Sequence, residues 1–241
     1  MSPQLDGNTA VVTGAGRGIG RVIAKTLAAN GACVVAAART SEEIDSLAAE
    51  ITDNGAKAIA VRTDVTNEAS VEQLFSEIDN KFGRVDILIN NAGMGIFSHI
   101  IDCRSEDFDR VLAVNVGGAF LCSREALKRM IPQKSGYIIN ISSVLGVRAY
   151  INQGAYTAAK HGVMGLTKTL ALEGQPHGIR VSAILPGGVN TEMIAKSRPD
   201  LDASALLEPE DIAGAMMYLL GLSEKASVDQ IYIRRRNSSP F

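Results

Sequence analysis

Short runs of apolar and β-branched residues recur along the chain, at Ala10–Thr13, Ala32–Ala38, Ala58–Val61, Val85–Asn90, Tyr137–Ser142, Ile179–Leu185 and Gln230–Ile233. Runs of this length bounded by polar and turn-forming residues predict strands. Between most of them apolar residues fall at helical spacing, as in Val22, Ile23 and Leu27 or Val71, Leu74, Phe75 and Ile78, and Ser105–Met130 and Gly154–Glu173 read as long helices. A parallel strand pair needs a right-handed crossover, usually a helix. The alternation therefore predicts an α/β fold with a doubly wound, seven-stranded, mainly parallel sheet and helices on both faces. One domain over residues 1–241 is expected, with no repeat or low-complexity linker. The least regular part, about residues 190–208, is the expected mobile lid.

Composition narrows the function classes. A formal charge of −2 gives no electrostatic case for nucleic acid or an anionic membrane surface as partner. Cys33, Cys103 and Cys122 are odd in number, imply no disulfide framework and point to a reducing, cytoplasmic compartment. The start of the chain lacks a secretion-signal pattern, and no apolar run is long enough to span a bilayer. His99, His161 and His177 have no metal-ligand spacing, so no metal is predicted.

Thr13-Gly14-Ala15-Gly16-Arg17-Gly18-Ile19-Gly20 directly follows the first strand and opens a helical stretch. Glycines there permit a tight turn and close approach of backbone N–H groups to a pyrophosphate, whose charge a helix N-terminus favours. A plain strand–helix turn is the alternative, since Gly14, Gly18 and Gly20 depart from the common G-x-G-x-x-G fingerprint. The spacing instead resembles the T-G-x-x-x-G-x-G turn of the short-chain dehydrogenase/reductase family. Asp64-Val65, Asn90-Asn91-Ala92-Gly93, Asn115, Ser143, Tyr156-x-x-x-Lys160 and Pro186-Gly187 follow in that family's order, over about residues 5 to 233.

The resemblance implies a Rossmann-type fold binding a nicotinamide dinucleotide. Gly14, Arg17, Gly18, Ile19 and Gly20 would hold the pyrophosphate end, Asp64 and Val65 the adenine, and Asn91, Ala92 and Gly93 the wall beyond it. Pro186, Gly187, Val189 and Thr191 would line the carboxamide pocket. Where the family reads the ribose, this chain has Ala38 and then Arg39; with no acid to repel a 2′-phosphate, and Arg17 nearby, NADP(H) is favoured over NAD(H). Both arginines as solvated surface charges is the alternative.

Tyr156 and Lys160 share a helix face, and a phenol serves as an acid or base near neutrality only if its anion is stabilised, which a nearby ammonium does. A packed tyrosine with a solvated lysine is the alternative. Ser143, thirteen residues before Tyr156, matches the family spacing better than Ser142 and would hold the substrate oxygen. By resemblance Asn115 holds a water that links Lys160 to solvent, a helix-kinking or side-chain-to-backbone role being the alternative, and Lys160 bonds the nicotinamide ribose.

The expected activity is NADP(H)-dependent hydride transfer between nicotinamide and a carbonyl or secondary alcohol. The glycine turn, N-N-A-G and Y-x-x-x-K regions are most similar to 3-oxoacyl-[acyl-carrier-protein] reductases, which makes an acyl thioester the first substrate class. Leu172, where those reductases often carry a basic residue, weakens carrier docking, so a small-molecule carbonyl reductase or alcohol dehydrogenase is the alternative. A non-catalytic dinucleotide sensor is remote, because Tyr156 and Lys160 are both present. A homo-oligomer, tetramer or dimer, is expected. Where many relatives end in V-D-G-G this chain reads Arg234-Arg235-Arg236-Asn237, taken as a solvated tail.

Overall fold

The computed structural model describes residues 4–197 and 201–239. In chain order its elements are β1 (Thr9–Thr13), α1 (Gly18–Ala29), β2 (Cys33–Ala38), α2 (Ser41–Asp53), β3 (Ala58–Arg62), α3 (Glu68–Phe82), β4 (Ile87–Asn90), α4 (Ser105–Leu112), α5 (Gly118–Gln133), β5 (Gly136–Ile141), α6 (Gly154–Gly174), β6 (Ile179–Pro186), α7 (Glu192–Ser197), α8 (Pro209–Leu220) and β7 (Gln230–Ile233). The strands stand in the order β3-β2-β1-β4-β5-β6-β7, and every neighbouring pair is parallel. All seven apolar runs become strands because helices cover both faces, so a strand there can be apolar throughout.

The pleat divides the core in two. Ala10 and Val12 of β1 face Ile23 and Leu27 of α1, Ile44 and Leu47 of α2 and Met216 of α8. Val11, between them, faces the opposite layer with Leu74 and Phe75 of α3, Cys122 and Met130 of α5 and Leu170 of α6. A buried polar chain crosses the second layer: Asn90 donates to Ser123 Oγ (2.9 Å) and Asn140 Oδ1 (2.8 Å), and Asn140 donates to Thr167 Oγ1 (2.8 Å). These bonds tie β4 and β5 to α5 and α6 and so fix the helix that carries Tyr156 and Lys160.

Two expectations are corrected. The predicted fourth strand began at Val85, but the Gln133 side chain takes both backbone groups of Val85 (3.2 and 2.8 Å), and the ladder starts at Ile87. The predicted helix Ser105–Met130 is not continuous: a π-turn at Ala113–Gly117 divides it, and its second half runs on to Gln133. Asn115 Nδ2 donates to the Val111 carbonyl one turn back (2.9 Å), drawing that acceptor into a side-chain bond and widening the turn. Within the stretch about 190–208, α7 and a short turn at Ala203–Ala205 are ordered and Val189 bridges to Leu207, while residues 198–200 lie outside the described residues.

From β1 the chain winds outward through β2 and β3, then returns to β4 on the other side of β1. The carboxyl ends of β1 and β4 therefore open a crevice, the usual ligand position in such sheets. Among the described residues no helix is long and apolar enough to cross a membrane.

Candidate active site

The crevice is held by two side chains. Thr13 Oγ1 accepts from the backbone N–H groups of Asn91 and Ala92 (3.0 Å each), and Asn91 Nδ2 donates to the carbonyls of Thr13 (2.9 Å) and Gly14 (3.1 Å). The two loops approach so closely that a Cβ on Gly14, whose φ is +64°, would lie 2.9 Å from Ala92 Cα. A Cβ on Gly20 would lie 2.3 Å from the Gly14 carbonyl oxygen. Gly20 and the Asn91 amide therefore shape the turn from behind. The first turn of α1 has no side-chain cap and no acidic residue, so its N–H groups at Gly18 and Ile19 face the cleft with acceptors still to find. That donor set fits a pyrophosphate.

A continuous cleft of about 1040 Å³ runs from this turn across the carboxyl edge of the sheet. Gly14, Arg17, Gly18, Ile19, Arg39, Asp64, Val65, Asn91, Ala92 and Gly93 line one half. Ser143, Tyr156, Lys160, Pro186, Gly187, Val189 and Thr191 line the other. Gly20 and Asn115 are not on its wall. Asn115 is buried behind Gly93, where its amide nitrogen bonds the Met94 and Val111 carbonyls and its Oδ1 has no partner among the described residues. A methyl on Gly93 would stand 2.8 Å from Asn115 Oδ1 and 3.6 Å from Lys160 Nζ, so both polar atoms face a space that only glycine leaves open.

At the sheet end, Ser143 caps a short turn at Val144–Gly146, its Oγ accepting from Leu145 N (3.2 Å), and its hydroxyl acts on the Tyr156 phenol in the direction that lowers it. The edge of Phe97 meets the Tyr156 ring at 5.7 Å between centroids. Burial pushes the Tyr156 phenol up to about 12, against the pull of the Ser143 hydroxyl. Burial also drives Lys160, 5% exposed, down to about 8. Its Nζ donates to the Ile141 carbonyl (2.9 Å) and lies 5.5 Å from the Tyr156 ring centroid, over the ring rather than at the hydroxyl. In this geometry desolvation outweighs the Ser143 hydroxyl at the Tyr156 phenol.

The ribose end carries acid as well as base. Arg17 Nη1 meets Glu192 of α7 at 2.8 Å and Glu43 of α2 at 3.9 Å, whereas Arg39 is exposed and makes no ion pair among the described residues. The Thr66 backbone N–H holds the Asp64 carboxyl below the usual range, with Arg39 and Arg62 adding to it.

Residues 8–202 match the family model of the short chain dehydrogenases. The chain belongs to the short-chain dehydrogenase family. The 3-oxoacyl-[acyl-carrier-protein] reductase of Synechocystis sp. is 41% identical over 225 residues, 89% of this chain and 90% of its own. The 3beta-hydroxysteroid dehydrogenase of Mediterraneibacter gnavus is 38% identical over 82% of this chain and 72% of its own. The solved structure of levodione reductase superposes with a TM-score of 0.88 at 34% identity, covering 95% of this chain and 96% of that one. The family places this chain among oxidoreductases acting on CH–OH or C=O groups with a nicotinamide dinucleotide.

For this family member, sequence reasoning passed over Phe97, Glu43, Glu192 and Arg148, all of which line the cleft. Glu43 alone left a sequence signal, an acid in the first turn of the helix after Arg39. The arginines after β7, read as a solvated tail, are also displaced from expectation: Arg234 and Arg235 are half-buried and line the cleft.

The buried Lys160 gives a pH test. Its folded value, about 8, lies below the ordinary 10.5, so unfolding takes up a proton between them and stability rises with pH across that window. Urea unfolding of wild type and Lys160→Met at pH 7.5 and 9.5 is expected to show wild type gaining on the variant, by at most about 1.4 kcal/mol per pH unit. Parallel behaviour of the two proteins contradicts a desolvated Lys160.

Proposed function

We propose that this chain is an NADP(H)-dependent oxidoreductase that moves hydride between nicotinamide and a carbonyl or secondary-alcohol carbon, with Tyr156 transferring the proton. The observation carrying the reading is that Ser143, Tyr156 and the buried Lys160 stand together on the wall of one dinucleotide-sized cleft. The coenzyme, when bound, supplies or accepts the hydride. The Ser143 hydroxyl orients the substrate oxygen, and Tyr156 gives that oxygen its proton as the carbonyl is reduced, or takes it back in oxidation. Lys160 supports the phenolate electrostatically once its proton has left. The unpartnered Oδ1 of Asn115, facing the same space as Lys160 Nζ, is suited to a water through which the proton is replenished. A non-catalytic sensor has no use for this arrangement.

For the substrate, an acyl thioester is supported by the name of the Synechocystis relative. A small-molecule carbonyl compound is the second reading, favoured by the exposed Leu172 (73%), an apolar side chain where a carrier-docking cation is absent. Leu172 on α6 and Phe120 on α5 (48% exposed) also support a homo-oligomer, dimer or tetramer, in which these helices pack on a second copy.

Three measurements test these readings. Tyr156→Phe is expected to keep coenzyme affinity and lose turnover by about 10²–10⁴-fold; a variant with most of its turnover contradicts Tyr156 as proton donor. Arg39→Ala is expected to weaken NADPH by about 10- to 100-fold with little effect on NADH, the loss of one charge-assisted phosphate contact. Ala38→Asp should deepen that loss by repulsion. Equal penalties on both coenzymes, or a wild type that prefers NADH, remove the NADP(H) assignment. Sedimentation at micromolar concentration should show a multiple of 25.5 kDa, and a monomer alone contradicts the oligomer.

A further inference from the structure

The stretch after β7 is built into the substrate half of the cleft. The Gly187 backbone N–H donates to the Ile233 carbonyl (2.7 Å), which lays Arg234 and Arg235 along Gly187-Gly188. Arg234 Nη1 donates to the carbonyls of Arg235 (3.1 Å), Arg236 (3.2 Å) and Ser238 (2.7 Å), and Ser238 Oγ donates to the Arg235 carbonyl (2.9 Å). Arg234 thus closes the turn on itself and is a positioning residue. The side chain of the neighbouring Arg235 lies instead along the cleft wall, its Nε 3.8 Å from where a Cβ on Gly188 would stand.

On the loop after Ser143, Arg148 sets its guanidinium 5.7 Å from the centre of the Tyr232 ring. Arg148 and Arg235 are both half-buried and line the same cleft as Ser143 and Tyr156. Arg17 and Lys196 of the cleft share Glu192, whereas Arg148 and Arg235, like Arg39, make no ion pair among the described residues. Two half-buried arginines thus line one cleft in a chain of net charge −2, a placement of cations that the overall composition hides. Their planar forks match carboxylate and phosphate oxygens.

We infer that Arg148 and Arg235 are specificity-determining residues that bind an oxyanion, carboxylate or phosphate, carried by the carbonyl substrate. The inference rests on the hydride-transfer reading for the position of the reacting carbonyl, and it narrows the substrate class to anionic compounds.

The test compares an anionic and a neutral form of one reacting group: acetoacetate with methyl acetoacetate, and acetoacetyl-phosphopantetheine with acetoacetyl-pantetheine. Each is measured as kcat/KM with NADPH and, independently of turnover, as affinity by calorimetry. Wild type is expected to favour the anionic member of at least one pair by about 10- to 100-fold. Preference in the first pair places the oxyanion on the substrate itself, and in the second on its carrier arm. Arg148→Met and Arg235→Met should each pull the ratio toward one, and Arg148→Lys should restore part of it. Equal handling of both members in wild type overturns the inference, as does a preference that survives both substitutions. A loss confined to NADPH affinity, with the substrate ratio intact, also overturns it by assigning the arginines to the coenzyme. Calorimetric preference without turnover of any compound upholds the arginine site and defeats the hydride-transfer reading instead.

Discussion

The hydroxyl of Thr13 accepts two backbone N–H groups from the loop after β4, and the Asn91 amide answers with bonds to the Thr13 and Gly14 carbonyls. Loops leaving two adjacent strands in different directions are thereby kept at van der Waals distance. Everything downstream uses that closeness. It aims the uncapped first turn of α1 into the cleft, brings Gly93 against Lys160 and Asn115, and leaves no room for a side chain at Gly14 or Gly20. A sheet without this fastening would keep its core but lose the shape of its ligand edge.

Burial around Tyr156 and Lys160 works against both charges. The phenol is pushed up and the ammonium down, so the charged form of each is less favoured than it would be in water. Such desolvation destabilises the fold locally and is sustained by the packing of α6 on the sheet and by the polar chain from Asn90 through Asn140 to Thr167. A proton donor kept protonated through the neutral range is the form that carbonyl reduction needs, and the lysine, close to its titration point, is sensitive to any charge entering the cleft.

The cleft's charges are sorted by position. At the glycine-turn end Arg17 is bound to Glu192 across the opening, which joins that turn to α7, and Arg39 makes no ion pair among the described residues. Further along the cleft Arg148 and Arg235 make no ion pair among the described residues. The near-neutral sum of the chain therefore says little about the field inside its long cleft, because field follows placement rather than totals.

Apolar runs and helical spacing determined the seven strands, their parallel order class and the helices over both faces, since burial on two sides demands continuous apolar strands whatever their neighbours. Ordered motifs also determined which residues meet at the cleft, because Gly14, Asn91, Ser143 and Tyr156 each sit at a strand end or on a helix whose position the fold class dictates. Only the tertiary structure decided the rest. The second bond of the Asn115 amide goes to the Met94 carbonyl, twenty-one residues away. The end of β4 at Ile87 depends on the Gln133 side chain, and the pairing of Arg17 with Glu192 spans 175 residues. The direction of the Tyr156 shift depends on solvent exclusion, and the course of Arg234 and Arg235 on a bond from Gly187. Each of these is a contact or a desolvation between segments remote in sequence, and no local pattern encodes the distance at which two such segments come to rest.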